Sequence, residues 1–124
     1  MEHLRILSLG RNSLKKLERL EDVAGTLEEL WLSYNAVSSL DGLQACLRLR
    51  VLYLSNNALK DWAELDKLAS LPELTDVVLV GNPIYTSAPD PAAARLLVLK
   101  RLPRLTKIDS YLITDLDRQA VARA

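Results

Sequence analysis

Residues 49–59 read LRVLYLSNNAL, and the spacing within them decides the fold. Leu49, Leu52, Leu54, Asn57 and Leu59 fill the pattern L-x-x-L-x-L-x-x-N-x-L. It recurs on both sides. Leu4, Leu7, Leu9, Asn12 and Leu14 fill it first, and Leu27, Leu30, Leu32, Asn35 and Val37 fill it next. Leu74, Val77, Leu79, Asn82 and Ile84 fill it last. The four asparagines stand 23, 22 and 25 residues apart, in step with sixteen aliphatic positions. Such repetition marks stacked supersecondary units, none of which can bury its apolar face alone.

Within each copy the apolar residues first alternate with period two, so a short strand points one set of leucines inward. Each asparagine then turns into the interior, where a short amide can satisfy backbone groups left unpaired as the chain leaves the strand. The return segments keep a period of three: Leu14, Leu17, Leu20 and Val23; Val37, Leu40, Leu43 and Cys46; Leu59, Trp62, Leu65, Leu68 and Leu71. Side chains three apart eclipse in tight 3₁₀ turns. The sequence therefore predicts an α/β leucine-rich repeat solenoid with short repeats of about 22 residues. A parallel sheet lines one side, and 3₁₀ and short helices form the other. Cys46 and Trp62 read as packing on the return side, and Cys46 as an inert buried thiol.

After Ile84 the pattern stops. Asp90-Pro91 opens a helix, a side-chain cap followed by proline at the first helical position. The helix runs over 92–102 and ends before Pro103. Leu105 and Ile108 supply a half-repeat. Thr114 and Asp117 have capping-box spacing and start a last helix over 115–123. The whole reads as one leucine-rich repeat domain over 1–124, with repeats over 4–26, 27–48, 49–73 and 74–89 and C-terminal capping helices over 90–124. At the other end the reading expects no N-terminal cap, hence either a shortened chain or pairing through that strand edge.

Composition narrows the function. The 124 residues carry 16 Lys plus Arg against 16 Asp plus Glu, so bulk charge gives no hold on nucleic acid or a membrane. Apolar residues make up 49% with no Phe, so the core is aliphatic. One cysteine excludes an internal disulfide, and there is no Asn-x-Ser/Thr site; both suit the cytosol or nucleus. No apolar run approaches the ~20 residues needed to cross a bilayer. Catalysis finds no footing: one histidine, His3, no Cys/His cluster for a metal, and four dispersed glycines. The run Asp61, Glu64, Asp66 reads as a solvated face. Neither a cofactor nor a metal is expected.

The residues between the core leucines point outward in columns. One holds Ser8, Trp31, Tyr53 and Val78; beside it lie Ile6, Glu29, Val51 and Asp76. On the other flank come Gly10, Ser33, Ser55 and Val80, then Arg11, Tyr34, Asn56 and Gly81. Core packing does not explain Trp31 and Tyr53. A strip of Trp, Tyr and valine in adjacent strands marks a protein-binding surface, where such side chains often contribute about 2 kcal/mol or more. The expected contact residues are Trp31, Tyr53, Val78, Val80, Tyr34, Val51 and Arg11. A second feature is a basic edge, Lys100, Arg101 and Arg104, followed by Arg118 and Arg123 in the last helix. It reads either as helix-dipole compensation or as an edge for an acidic partner.

The short repeat with period-three returns resembles the class of the regulatory leucine-rich subunit of protein phosphatase 1. The wording "LRILSLGRN" (4–12), "LEELWLSYN" (27–35), "LYLSNNALKDWAEL" (52–65) and "LVGNP" (79–83) is similar to the axonemal dynein light chain 1 family. The similarity runs over about 4–109 and includes the non-consensus residues Trp31, Tyr34 and Trp62. It implies a light chain of the outer dynein arm of cilia and flagella, a non-enzymatic protein of the cytoplasm and axonemal cytoskeleton. It implies binding to the motor region of a dynein heavy chain near the microtubule-binding stalk tip, with a link to tubulin. The family's apolar sheet face would fall on Trp31, Tyr53, Val78 and Val80, and its terminal-helix basic residues on Arg118 and Arg123. The family begins with a helical segment and further repeats ahead of the part matched here. A general scaffold of the phosphatase-regulatory or spliceosomal kind is the alternative.

Overall fold

The computed structural model describes residues 4–15, 17 and 20–122. Four three-residue strands, β1 (Ile6–Ser8), β2 (Glu29–Trp31), β3 (Val51–Tyr53) and β4 (Asp76–Val78), stack in parallel, each pairing with the next in chain order. Their central residues Leu7, Leu30, Leu52 and Val77 lie in register. The returns of the first three copies are the expected 3₁₀ turns, Leu20–Asp22, Leu43–Ala45 and Trp62–Leu68, and a fourth turn, Pro83–Ser87, follows where the sequence pattern stops. Between sheet and turns lies an aliphatic core in which Leu27, Leu30, Leu32, Leu49, Leu52, Leu54, Val77 and Leu79 are buried. Leu4, Leu7 and Leu9 are only partly covered, because no described rung packs on their outer side. Cys46 is buried as expected, and desolvation pushes its thiol up.

The asparagines do what their position requires. Asn57 donates from Nδ2 to the carbonyls of Leu32 and Leu54, both at 3.0 Å, and accepts the Val37 N–H at 3.0 Å. Asn35 joins Leu9, Leu32 and Leu14 in the same way, and Asn82 joins Leu54, Leu79 and Leu59. Each amide thus ties its own repeat to the preceding one. Asn12 is the exception: it is exposed and, among the described residues, bonds only within its own turn, to Leu9 and Gly10.

A second repeating corner was not read from the sequence. Arg11, Tyr34, Asn56 and Gly81, one residue before each asparagine, all adopt positive φ, between 58° and 88°. In this conformation the N–H groups of Arg11, Tyr34 and Asn56 reach the carbonyls of Ser33, Ser55 and Val80 on the next rung.

The C-terminal end closes differently from a plain half-repeat. Helix α1 (Pro91–Arg101) is capped by Asp90, whose Oδ1 accepts the Ala93 N–H at 2.8 Å. Strand β5 (Lys107–Ile108) pairs parallel with β4, as Leu105 and Ile108 foretold. The chain then turns through Asp109 and Ser110, both at positive φ, and returns as β6 (Tyr111–Leu112), antiparallel to β5. A two-residue loop with both φ positive matches the twist of a tight hairpin. Thr114 and Asp117 form the reciprocal capping box of α2 (Asp115–Ala122), with bonds of 2.9 and 3.2 Å.

The acidic run lies on the surface as read, with Asp61 and Asp66 exposed and Glu64 half-buried, and its carboxylates also hold the turn. Asp61 caps the 3₁₀ turn at Ala63, and Glu64 accepts the Leu40 N–H at 2.8 Å while pairing with Lys67. Asp66 pairs with Arg101 at 3.0 Å. Lys67 also reaches Asp41 at 2.7 Å, which holds the Asp41 carboxyl below its ordinary range.

Candidate interaction surface

The parallel register sets the outward residues in rows across the sheet. Ser8, Trp31, Tyr53 and Val78 are register partners in one row. Ile6, Glu29, Val51, Asp76 and Lys107 form the row beside it. Three-residue strands spaced about 4.8 Å apart bring neighbouring side chains of a row into contact. The Trp31 and Tyr53 rings stack accordingly, centroids 5.9 Å apart and planes 26° from parallel. Trp31 stays 38% exposed, Val80 40% and Tyr34 50%, whereas Tyr53 and Val78 are half-buried. Arg11 lies over the Tyr34 ring, its guanidinium carbon 4.6 Å from the centroid. The Ser55 hydroxyl donates to that of Ser33 at 2.9 Å.

Val51 is corrected: it is only 6% exposed. Its short branched side chain sits between Glu29 and Asp76 in register, so it supports the face rather than forming it. Two outward residues beyond the expected contacts, Glu29 and Asp76, carry negative charge on this face. Glu29 accepts from the Trp31 indole at 3.3 Å and pairs with Arg50 at 3.4 Å. Asp76 is half-buried, and desolvation raises its carboxyl, an effect Glu29 adds to and Lys107 and Arg50 oppose. The Tyr53 phenol is raised by burial, then by the Asp76 and Glu29 charges.

The basic edge is partly consumed inside the fold. Arg101 pairs with Asp66, and Arg118 donates to the Pro103 and Leu105 carbonyls at 2.7 and 3.0 Å, tying α2 to the loop after α1. Lys100 and Arg104 are exposed near the end of α1, and Arg123 lies outside the described residues. Trp62 stacks with Tyr85 at 6.5 Å and donates to Ser87 at 2.9 Å, on the return side away from Trp31. Among the described residues no group of three or more His, Cys, Asp or Glu side chains is arranged to hold a metal ion.

A stacked parallel sheet, 3₁₀ returns and an amide ladder define the class: the fold is a leucine-rich repeat solenoid. The family described as Leucine Rich repeats (2 copies) matches residues 25–67. The chain is 51% identical over 125 residues to Dynein axonemal light chain 1 of Chlamydomonas reinhardtii, a match covering 98% of this chain and 63% of that protein. The protein of the same name from Danio rerio is 49% identical over 109 residues, covering 88% of this chain and 57% of its own length. The chain thus spans about three-fifths of the length of the curated relatives it matches. Among solved structures, the Drosophila melanogaster SNF/U2A′ complex superposes with a TM-score of 0.80 at 27% identity, over 98% of this chain and 68% of that one. The resemblance read from the repeats is borne out, since relatives at 46–51% identity carry the axonemal light chain name.

Proposed function

We propose that this chain is the repeat body of an outer-arm axonemal dynein light chain. It is a non-catalytic binding module of the cilium and flagellum that docks on the motor region of a dynein heavy chain, near the stalk tip that meets the microtubule. The observation that carries this reading is the Trp31–Tyr53 stack held on the outward face of the sheet, continued by Val78 and Val80. Large aromatic side chains that rigid neighbouring strands hold in place lose little entropy on binding and bury much area. The identity to proteins named as axonemal light chains supplies the partner class. Modulating the motor, with tubulin close by, is then a consequence of where the light chain sits.

Replacing both rings, Trp31→Ala with Tyr53→Ala, tests it. Binding to a recombinant heavy-chain stalk-tip fragment should be lost, while the circular-dichroism melt falls by a few degrees at most, because neither ring is in the core. Unchanged binding would reject the reading. The likeness to the U2A′ complex favours a second one, a general scaffold whose partner is not a motor. A pull-down from ciliated-cell extract that recovers a spliceosomal or phosphatase partner in place of a dynein heavy chain would support it.

A further inference from the structure

Asp76 and Glu29 flank Val51 in register, so their backbones stand roughly 10 Å apart across three strands. In the next row Tyr53 lies between them, and both charges act on its phenol. The two carboxylates are not equivalent. Glu29 is held by Arg50 and the Trp31 indole. The Asp76 carboxylate has no hydrogen-bond or ion-pair partner among the described residues; Lys107, its register neighbour, and Arg50 act on it only through space. The fold therefore keeps a half-buried carboxylate, still reached by water but without a protein partner, beside an aromatic stack, an arrangement that costs stability as water is withdrawn. Covering this face with apolar surface alone would strip more water from Asp76 and raise that cost.

We infer that the segment docking on this face presents an arginine or lysine, whose cation pairs with Asp76 while its stem lies across Tyr53 and Trp31. The inference rests on the sheet face being the docking surface proposed above. Each part of such a side chain has a counterpart here. The methylene stem fits the ring faces, the cation gains from the aromatic quadrupole, and the carboxylate receives the partner it lacks. Glu29, on the far side of Tyr53, is already matched by Arg50, which leaves Asp76 as the acceptor. A guanidinium fits better than an ammonium, because it can stack on a ring and donate in its own plane at once.

The test is titration calorimetry with the recombinant stalk-tip fragment at low and high ionic strength, comparing the wild type, Asp76→Asn and the Trp31→Ala/Tyr53→Ala double variant. Asp76→Asn should bind about tenfold or more weakly, as expected for loss of a charged hydrogen bond. Its affinity should depend less on salt than that of the wild type. Its melting midpoint should equal or exceed that of the wild type, because the variant removes an unpaired charge. Wild-type affinity in Asp76→Asn alongside loss in the double variant overturns this inference and leaves the docking face standing. A weaker complex with a lowered melting midpoint also overturns it, by making Asp76 a structural residue. Failure of the wild type to bind removes both readings.

Discussion

The Asp109 carboxylate stands in for a missing backbone carbonyl. Its Oδ1 accepts the N–H groups of Leu79 and Val80 at 2.7 and 3.1 Å, and its Oδ2 accepts the Tyr85 hydroxyl. In the other rungs the equivalent N–H groups of Leu9, Leu32 and Leu54 donate to the backbone carbonyls of Trp31, Tyr53 and Val78. At β5 the chain turns back at Asp109, and a side chain takes over the carbonyl's task. Asp109→Ala should cost about 3 kcal/mol, from two N–H groups and a hydroxyl losing their acceptor and an alanine held at φ 52°. Asp109→Asn keeps an acceptor oxygen and tolerates that φ, so it should cost less. Urea denaturation of the two variants checks the order.

The amide ladder predicts a gradient along the solenoid. Asn57→Ala and Asn82→Ala each strand two carbonyls and one N–H in the interior, which should cost about 3 kcal/mol. Asn12→Ala, at an exposed turn, should cost under about 1 kcal/mol. Equal losses along the ladder in equilibrium unfolding would contradict this account of the asparagines.

Gly81 answers a close approach as well as a backbone angle. At φ +88° an added Cβ would fall 2.4 Å from the Asn56 side-chain oxygen and 3.0 Å from the Asn56 backbone nitrogen. Gly81→Ala should destabilise by about 1–3 kcal/mol through backbone strain and displacement of Asn56. Asn56→Gly, at φ 58° with an exposed side chain, should be nearly neutral. Thermal melts of the two single variants make the comparison.

The tyrosines should titrate unequally. Burial, followed by the hydrogen bond to Asp109, pushes the Tyr85 phenol far above its ordinary range. An acid whose folded pKa is raised stabilises the fold below its unfolded value, ~10 for tyrosine, and loses that contribution as pH rises beyond it. Ultraviolet titration should show Tyr85 protonated until alkaline unfolding, with Tyr53 ionising above the usual phenol range before it. Ionisation of all four tyrosines in the usual range, with the circular-dichroism signal intact, would contradict the burial of Tyr85.

The solenoid was legible because its core is written in local spacing: each leucine's neighbour in the stack lies one period along the chain. The caps at Asp90 and Thr114 were legible for the same reason, since a cap and its target sit three residues apart. Trp31 and Tyr53 could be placed on the outward face from alternation alone. What stayed hidden depends on neighbours distant in sequence. Val51 alternates outward yet is buried, because Glu29 and Asp76 flank it from other repeats. Arg101 and Arg118 read as helix-dipole compensation or as an edge for an acidic partner, whereas the fold brings Asp66 and two loop carbonyls to them. The hairpin through Asp109 carried a faint signal, an Asp-Ser pair after Ile108, easily outweighed by the expectation of a plain half-repeat.

The two tryptophans allow the central claim to be read in one sample, since they lie on opposite sides of the solenoid. Hydroxyl-radical labelling followed by mass spectrometry, with and without the heavy-chain stalk-tip fragment, measures the accessibility of each indole. The account predicts strong protection of Trp31 on binding and no change at Trp62. Protection of Trp62 with Trp31 left as reactive as in the free protein would contradict it.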